Sequence, residues 1–313
     1  MISKDSPGGA MTIGARRPGW LASMPVVLLV CLITVFSTTG CSASKQRLMH
    51  AQQIAQAGSL EPISVSAGDF KLAGWLRITE SSNSLRVYIE GDGLAWARRD
   101  RPSLDPTPRN PVALSLAAND NHPNVLYLAR PCQYQGVGSN RACKPALWTH
   151  GRFSPEVVDA LDQALDQMLD QFREHAGIEL VGYSGGGALA VMIAARREDV
   201  INLRTVAGNL DSESFVALHQ VSPMSGSKNP ADYAASLRHL PQVHFFGDAD
   251  KVIPGKISQQ FAEKAAPSTC ITRKPVHGAN HADGWQERWP TLLALKPSCN
   301  ARPINLPQGP VQP

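Results

Sequence analysis

Ten residues, Ile178-Glu179-Leu180-Val181-Gly182-Tyr183-Ser184-Gly185-Gly186-Gly187, with the alanine-rich run 188–195 behind them, constrain this chain more than any other stretch. They read as a strand, a turn too tight for side chains on either flank of its serine, and a helix packed close against the strand. Gly182 and Gly186 leave room for such a turn. A free serine hydroxyl is a poor nucleophile. It becomes an effective one when it is held at an exposed, strained turn beside a base, with backbone N–H groups aimed at the oxyanion it creates. Taken singly, G-x-S-x-G also fits a loop or a phosphate-binding turn, so the rest of the chain has to decide.

Two later segments supply partners. Gln242-Val243-His244-Phe245-Phe246 has strand character and runs into Gly247-Asp248-Ala249-Asp250-Lys251-Val252-Ile253-Pro254. A last strand, Ile271 to Val276, leads into His277-Gly278-Ala279-Asn280-His281-Ala282-Asp283-Gly284-Trp285, with a helix expected from about Trp285 to Leu295. Serine, then acid, then histidine, each after a strand, resembles the α/β-hydrolase family. By that resemblance the acid is Asp250, in the pattern G-x-x-D-x-x-V/I-P, with Asp248 as its rival on the same loop. The base is His281, with His277, nearer the strand end, as its rival. The resemblance implies that Ser184 attacks an acyl carbonyl, that His281 takes the proton and returns it to the leaving group, and that Asp250 fixes the imidazole tautomer.

The family's oxyanion hole needs two N–H donors. One falls on Gly185, directly after the serine. The other falls on the backbone of Asp92 and Gly93, because Leu85 to Glu90 reads as an early strand running into Gly91-Asp92-Gly93. A carboxylate beside a developing oxyanion is repulsive, so the Asp92 side chain is expected to turn from the pocket and hold the loop. His277, His281 and Asp283 could also be taken as a metal cluster, but Gly278 and the glycine-bounded loop argue against the helix that an i, i+4 histidine pair would need. Neither metal nor cofactor is expected.

The N-terminus bears on the compartment. Arg16 and Arg17 precede an apolar core, Val26 to Phe36, and then Ser37-Thr38-Thr39-Gly40-Cys41-Ser42. A basic region, a short apolar core and small residues describe a signal peptide over 1–40 rather than a membrane span. Gly40-Cys41 resembles a bacterial lipobox, which implies lipidation of Cys41 and an outer-membrane lipoprotein; cleavage by an ordinary signal peptidase would give a soluble exported protein instead. Cys132, Cys143, Cys270 and Cys299 then lie in an oxidising setting where disulfides persist. They allow three pairings. The favoured one joins Cys132 to Cys143 and Cys270 to Cys299.

Of the formal charge of +4, residues 1–40 supply +2 (Lys4, Arg16 and Arg17 against Asp5), which leaves +2 for the rest. That is too little and too scattered to call for nucleic acid as a partner. The mature chain reads as a tether over 41–60 with a short helix around Leu48 to Ala57, one α/β domain over 61–301, and a flexible proline-rich tail over 302–313.

Within that domain, Ile63 to Ile78 forms a hairpin around Gly68-Asp69, Arg98 to Pro111 is a loop, and Asn124 to Ala129 is a strand. Ser154-Pro155-Glu156 starts an amphipathic helix. Leu203 to Gly208 is a further strand, and 211–240 is an irregular insertion before the acid strand, placed by analogy as a cap. The expected fold is a mainly parallel sheet with helices on both faces. The expected activity is hydrolysis of esters or related acyl compounds, with a small-molecule acyl substrate. The alternative is a catalytically silent hydrolase-fold lipoprotein that binds a ligand or envelope component.

Overall fold

The computed structural model describes residues 43–136, 138–172 and 176–299. The signal segment 1–40, the lipidation site Cys41 and the tail 302–313 lie outside the described residues. No helix among the described residues is long and apolar enough to cross a membrane.

The first described element is a helix within the tether segment, starting earlier than the expected Leu48. This helix, α1, covers 43–57. Its apolar positions recur at helical spacing, so Ala51 and Ala55 are fully buried and Leu48 and Ile54 pack against the same core. Ser44 and Arg47 bind the loop beyond, the Ser44 hydroxyl to Asp105 Oδ2 at 2.5 Å and Arg47 Nη1 to the Thr107 carbonyl at 3.0 Å. Burial of one helix face ties the segment to the domain.

The hairpin forms as expected: β1 (Glu61–Ala67) and β2 (Phe70–Ile78) pair antiparallel from Glu61↔Leu76 to Ala67↔Phe70. Next come β3 (Leu85–Ile89) and a two-stranded ribbon, β4 (Trp96–Arg98) with β5 (Arg101–Pro102), where an unbroken loop was expected. Helix α2 (Val112–Ala118) and β6 (Asn124–Leu128) follow, then α3 (Pro155–Leu169), whose N-cap Ser154 accepts the Val157 N–H. Val157, Leu161, Leu165 and Met168 are buried along one face of α3, each stabilising the domain by about 1.5–3 kcal/mol. The chain continues through β7 (Ile178–Tyr183), α4 (Gly185–Ala194), β8 (Val200–Val206) and α5 (Ser212–His219) to β9 (Gln242–Gly247), α6 (Gly255–Lys264), β10 (Ile271–Val276) and a short α7 (Trp289–Leu293).

One eight-stranded sheet results, in the order β1-β2-β6-β3-β7-β8-β9-β10. From β6 to β10 every neighbouring pair is parallel, and β2 joins β6 antiparallel. Helices α3, α4 and α6 cover one face with their core; α1, α2 and α7 cover the other. This is the α/β-hydrolase architecture, with all six parallel strands ending at one rim.

The opposite end of the strands carries a buried ionic cluster. Arg86 on β3 donates to both Asp120 carboxylate oxygens at 3.0 and 2.9 Å and to Glu179 Oε2 on β7 at 2.9–3.0 Å. Arg204 on β8 adds a 3.1 Å bond to the same Glu179 oxygen, and the Ser84 hydroxyl donates to Glu179 Oε1 at 2.9 Å. Burial alone would raise the Glu179 carboxyl, but Arg86, the Ser84 hydroxyl and Arg204 outweigh it and hold the group at about 2.

Both disulfides of the favoured pairing are present, Cys132–Cys143 and Cys270–Cys299.

Candidate active site

Strand β7 ends at Tyr183, and the chain reverses through Ser184 with φ 51° and ψ −118°, a left-handed conformation that costs a non-glycine residue energy and is over-determined by its surroundings. The surroundings here are specific. Ser184 donates its N–H to the Val206 carbonyl at 3.0 Å, and its own carbonyl accepts from Asn209 at 2.9 Å and Gly187 at 3.0 Å. Glycine is required on both flanks: a Cβ on Gly182 would lie 2.4 Å from the Gly186 carbonyl oxygen, and one on Gly186 would lie 2.2 Å from the Ile89 carbonyl oxygen. Helix α4 thus starts hard against the end of β3, and every one of its residues is buried.

The loops after β9 and β10 meet this turn. Ser184 Oγ lies 3.0 Å from His281 Nε2, and His281 Nδ1 lies 2.9 Å from Asp250 Oδ2. Asp250 is buried, and its other oxygen accepts the Val252 and Ile253 N–H groups at 2.8 and 2.9 Å, which fixes the carboxylate plane. The His281 loop is held by its own turn chemistry. Asn280 Oδ1 accepts the Ala282 and Asp283 N–H groups, Trp285 Nε1 donates to the Asn280 carbonyl at 2.9 Å, and the Tyr183 hydroxyl donates to the His281 carbonyl at 3.0 Å. The two rivals pair with each other instead: His277 Nδ1 and the Gly278 N–H sit 2.8 and 2.7 Å from the Asp248 oxygens on the exposed surface. His277 and His281 therefore face separate carboxylates. His244 is a core residue, buried on β9 against Thr205 Oγ1 at 2.8 Å, and burial pushes it down to about 3.

The Gly91-Asp92-Gly93 loop packs on the serine turn, where a Cβ on Gly91 would lie 3.0 Å from the Tyr183 ring and one on Gly93 (φ 64°) 2.1 Å from the Pro106 carbonyl oxygen. The N–H groups of Gly185, Asp92 and Gly93 make no hydrogen bond among the described residues. Asp92 departs from expectation. Its carboxylate is not turned away but lies beside Gly185, gripped by Arg130 Nη1 and by Arg152 Nη1 at 2.6 Å. Burial would raise this carboxyl, yet Arg152 and Arg130 lower it, so the repulsion foreseen at this place is met by two guanidinium groups.

Two further groups at this rim carry no signal in the sequence. Glu90, buried at the end of β3, accepts the Gly91 N–H at 2.9 Å, the Tyr127 hydroxyl at 3.1 Å and the Ala113 N–H at 3.4 Å; burial without a cationic partner pushes it up to about 7. Gln133, next to Cys132, donates to the Gly91 carbonyl at 3.1 Å and accepts the Arg130 N–H at 3.1 Å. Ser184 and His281 open onto a cavity of about 460 Å³ whose wall includes Trp96, Arg109, Arg152, Phe215 and Val252. Phe215 comes from α5, so the insertion before the acid strand does reach the pocket.

The described residues superpose on several solved structures at low identity. The esterase Pf2001 from Pyrococcus furiosus matches with a TM-score of 0.54 and 17% identity over 75% of this chain and 90% of its own. A serine hydrolase homologue from Coxiella burnetii matches with 0.52 and 17% over 74% and 93%, and Est1E from Butyrivibrio proteoclasticus with 0.50 and 13% over 72% and 93%. These likenesses show a shared fold. No curated protein matches the sequence. The model of the family described as "Serine hydrolase (FSH1)" matches residues 117–282, just over half of the chain, an interval that runs from the end of α2 past Ser184 and Asp250 to His281. The chain belongs to the FSH1 serine hydrolase family.

Proposed function

We propose that this serine hydrolase cleaves carboxylic esters or related acyl bonds with Ser184 as nucleophile, His281 as general base and then acid, and Asp250 as the carboxylate that orients the imidazole. The observation that carries the proposal is the relay itself: 3.0 Å from hydroxyl to imidazole and 2.9 Å from imidazole to a buried carboxylate, at the rim where a strained turn exposes the serine. In the first step Oγ adds to the acyl carbonyl as its proton passes to His281 Nε2. The negative charge develops on the carbonyl oxygen, for which the free N–H groups of Gly185 and of Asp92 or Gly93 are the donors. Collapse expels the alcohol, protonated by His281, and leaves an acyl-serine. Water, deprotonated by the same imidazole, then hydrolyses it. Esterase, peptidase and acyltransferase reactions share this acyl-enzyme; the likeness of the fold to esterases supports the first.

We place the enzyme on the periplasmic face of a bacterial envelope, through a lipid on Cys41. Two disulfides fit an oxidising compartment.

The test is labelling with a fluorophosphonate. Wild-type protein is labelled and Ser184→Ala is not; an inert wild type would instead favour a ligand-binding role for the fold. Incorporation of radiolabelled palmitate into the wild type but not into Cys41→Ser checks the anchor.

A further inference from the structure

Unpaired positive charge is concentrated at the mouth of the catalytic cavity. Arg109 lines the cavity that holds Ser184 and His281, and it is exposed, with no ion pair or hydrogen bond among the described residues. Arg99 lines an adjoining groove that shares Trp96, Arg152 and Phe215 with the cavity and continues along Val221 and Met224. Arg98 and Arg101, on the β4–β5 ribbon, are exposed and likewise without an ion pair among the described residues. Against these four guanidinium groups, residues 96–109 contain two acids. Asp105 is committed to Ser44, Arg47 and the Thr107 N–H, which leaves Asp100.

The acids of the cavity wall are committed too. Asp92 is spanned by Arg130 and Arg152, and Glu90 is bound by Tyr127 and two backbone N–H groups. Asp250 faces His281. No acid of the wall is left over to neutralise Arg109. Its backbone is also fixed, because the loop before it is pinned: the Leu94 N–H donates to the Pro106 carbonyl at 3.0 Å, the Tyr134 N–H to Thr107 Oγ1 at 2.7 Å, and Arg47 to the Thr107 carbonyl. A guanidinium on a pinned loop, in the wall of the cavity that holds Ser184 and free of protein anions, presents a ready fork for a carboxylate or phosphoryl group.

We propose that Arg109 is a specificity-determining residue and that the substrate is an ester bearing an anionic group, which Arg109 pairs with while the ester carbonyl meets Ser184. The proposal rests on Ser184 being the nucleophile. The apolar side of the adjoining groove, Trp96, Phe215, Val221 and Met224, takes the hydrocarbon part of such an ester. The exposed arginines of the ribbon draw the anion toward the mouth.

The experiment compares kcat/KM of the full chain on matched esters at low ionic strength. Neutral 4-nitrophenyl pentanoate is set against its glutarate monoester and 4-phosphonobutanoate counterparts, and neutral 4-nitrophenyl butanoate against its 3-carboxy-4-nitrophenyl counterpart. At least one anionic ester is expected to exceed its neutral parent about tenfold, and Arg109→Gln to remove that preference chiefly through KM, as befits one charge-assisted hydrogen-bonded pair. Arg109→Lys keeps part of it, and Arg141→Gln, which removes an exposed arginine outside the cavity, leaves it in place. Which ester leads identifies the anion and the side of the ester that carries it. A ratio near one for every pair, or a ratio that Arg109→Gln leaves alone or that Arg141→Gln lowers equally, overturns the proposal and leaves the nucleophile assignment standing. A wild type that no fluorophosphonate labels overturns both.

Discussion

Glu90, directly after β3, and Glu179, on the neighbouring strand β7, are both buried, and they behave as different chemical groups. Glu179, at the base of β7, meets Arg86, Arg204 and a serine hydroxyl and is held at about 2. Glu90, at the rim end of β3, meets two N–H groups and a tyrosine hydroxyl but no cation in contact, and burial pushes it up to about 7. The base is a compensated ionic cluster whose work is to hold β3, β7 and β8 together. The rim keeps its groups poised: a strained serine, an imidazole between hydroxyl and carboxylate, and a glutamate that changes charge near neutrality. The difference between the two ends comes from where the arginines stand, because the residue type is the same.

The comparison can be broken most sharply at the rim. Asp250→Asn is expected to lower turnover about 10^3-fold or more, because the imidazole loses the partner that sets its tautomer. Ester hydrolysis measured on purified protein checks this. Glu179→Ala comes next. It strands Arg86 and Arg204 without their shared carboxylate and should cost about 3–5 kcal/mol in denaturant unfolding, with the rate of fluorophosphonate labelling of the folded protein kept. A loss of labelling rate in folded Glu179→Ala would join the two ends that the geometry separates.

Glu90 gives a pH signature. Its folded-state carboxyl lies at about 7 against an ordinary 4.5, so the native protein binds more protons than the unfolded chain between those values. Its contribution to stability is present below about 4.5 and is lost as pH rises through about 7, a swing of about 3 kcal/mol by linkage. Glu90→Gln should flatten the stability-versus-pH curve over that window; an unchanged slope would deny the raised value. The smallest effect is expected from Asp248→Asn, within about threefold in turnover, since its partners His277 and Gly278 lie on the exposed surface away from Ser184. A larger loss there than in Asp250→Asn would move the acid to Asp248.

The parts of the fold that announce themselves do so through local chemistry. The elbow around Ser184 needs glycines where a Cβ has no room, the helix behind Ser154 carries its cap and its period, and the strand before His277 is bounded as expected. Helix α2 escapes because Val112 to Ala117 are all buried and only Ser115 among them is polar, which leaves no period to tell it from a strand. Helix α1 is foreseen only from Leu48 to Ala57; its first turns, where Ser44 and Arg47 bind Asp105 and Thr107 of a distant loop, leave no mark in the local sequence. The Asp92 clamp was invisible for the same reason: Arg130 and Arg152 lie 38 and 60 residues away in sequence, and nothing at any of the three positions records the meeting.

The Cys132–Cys143 bridge closes a loop whose first residues, Gln133 and Tyr134, grip Gly91 and Thr107, while Cys132 and Tyr134 hold φ values of 75° and 62°. Thiol reductants added to a preparation would therefore slacken the scaffold beneath the donors proposed for the tetrahedral adduct. Purification and kinetics belong in oxidising buffer, and an enzyme assayed with dithiothreitol would report the crosslink's absence as a catalytic defect.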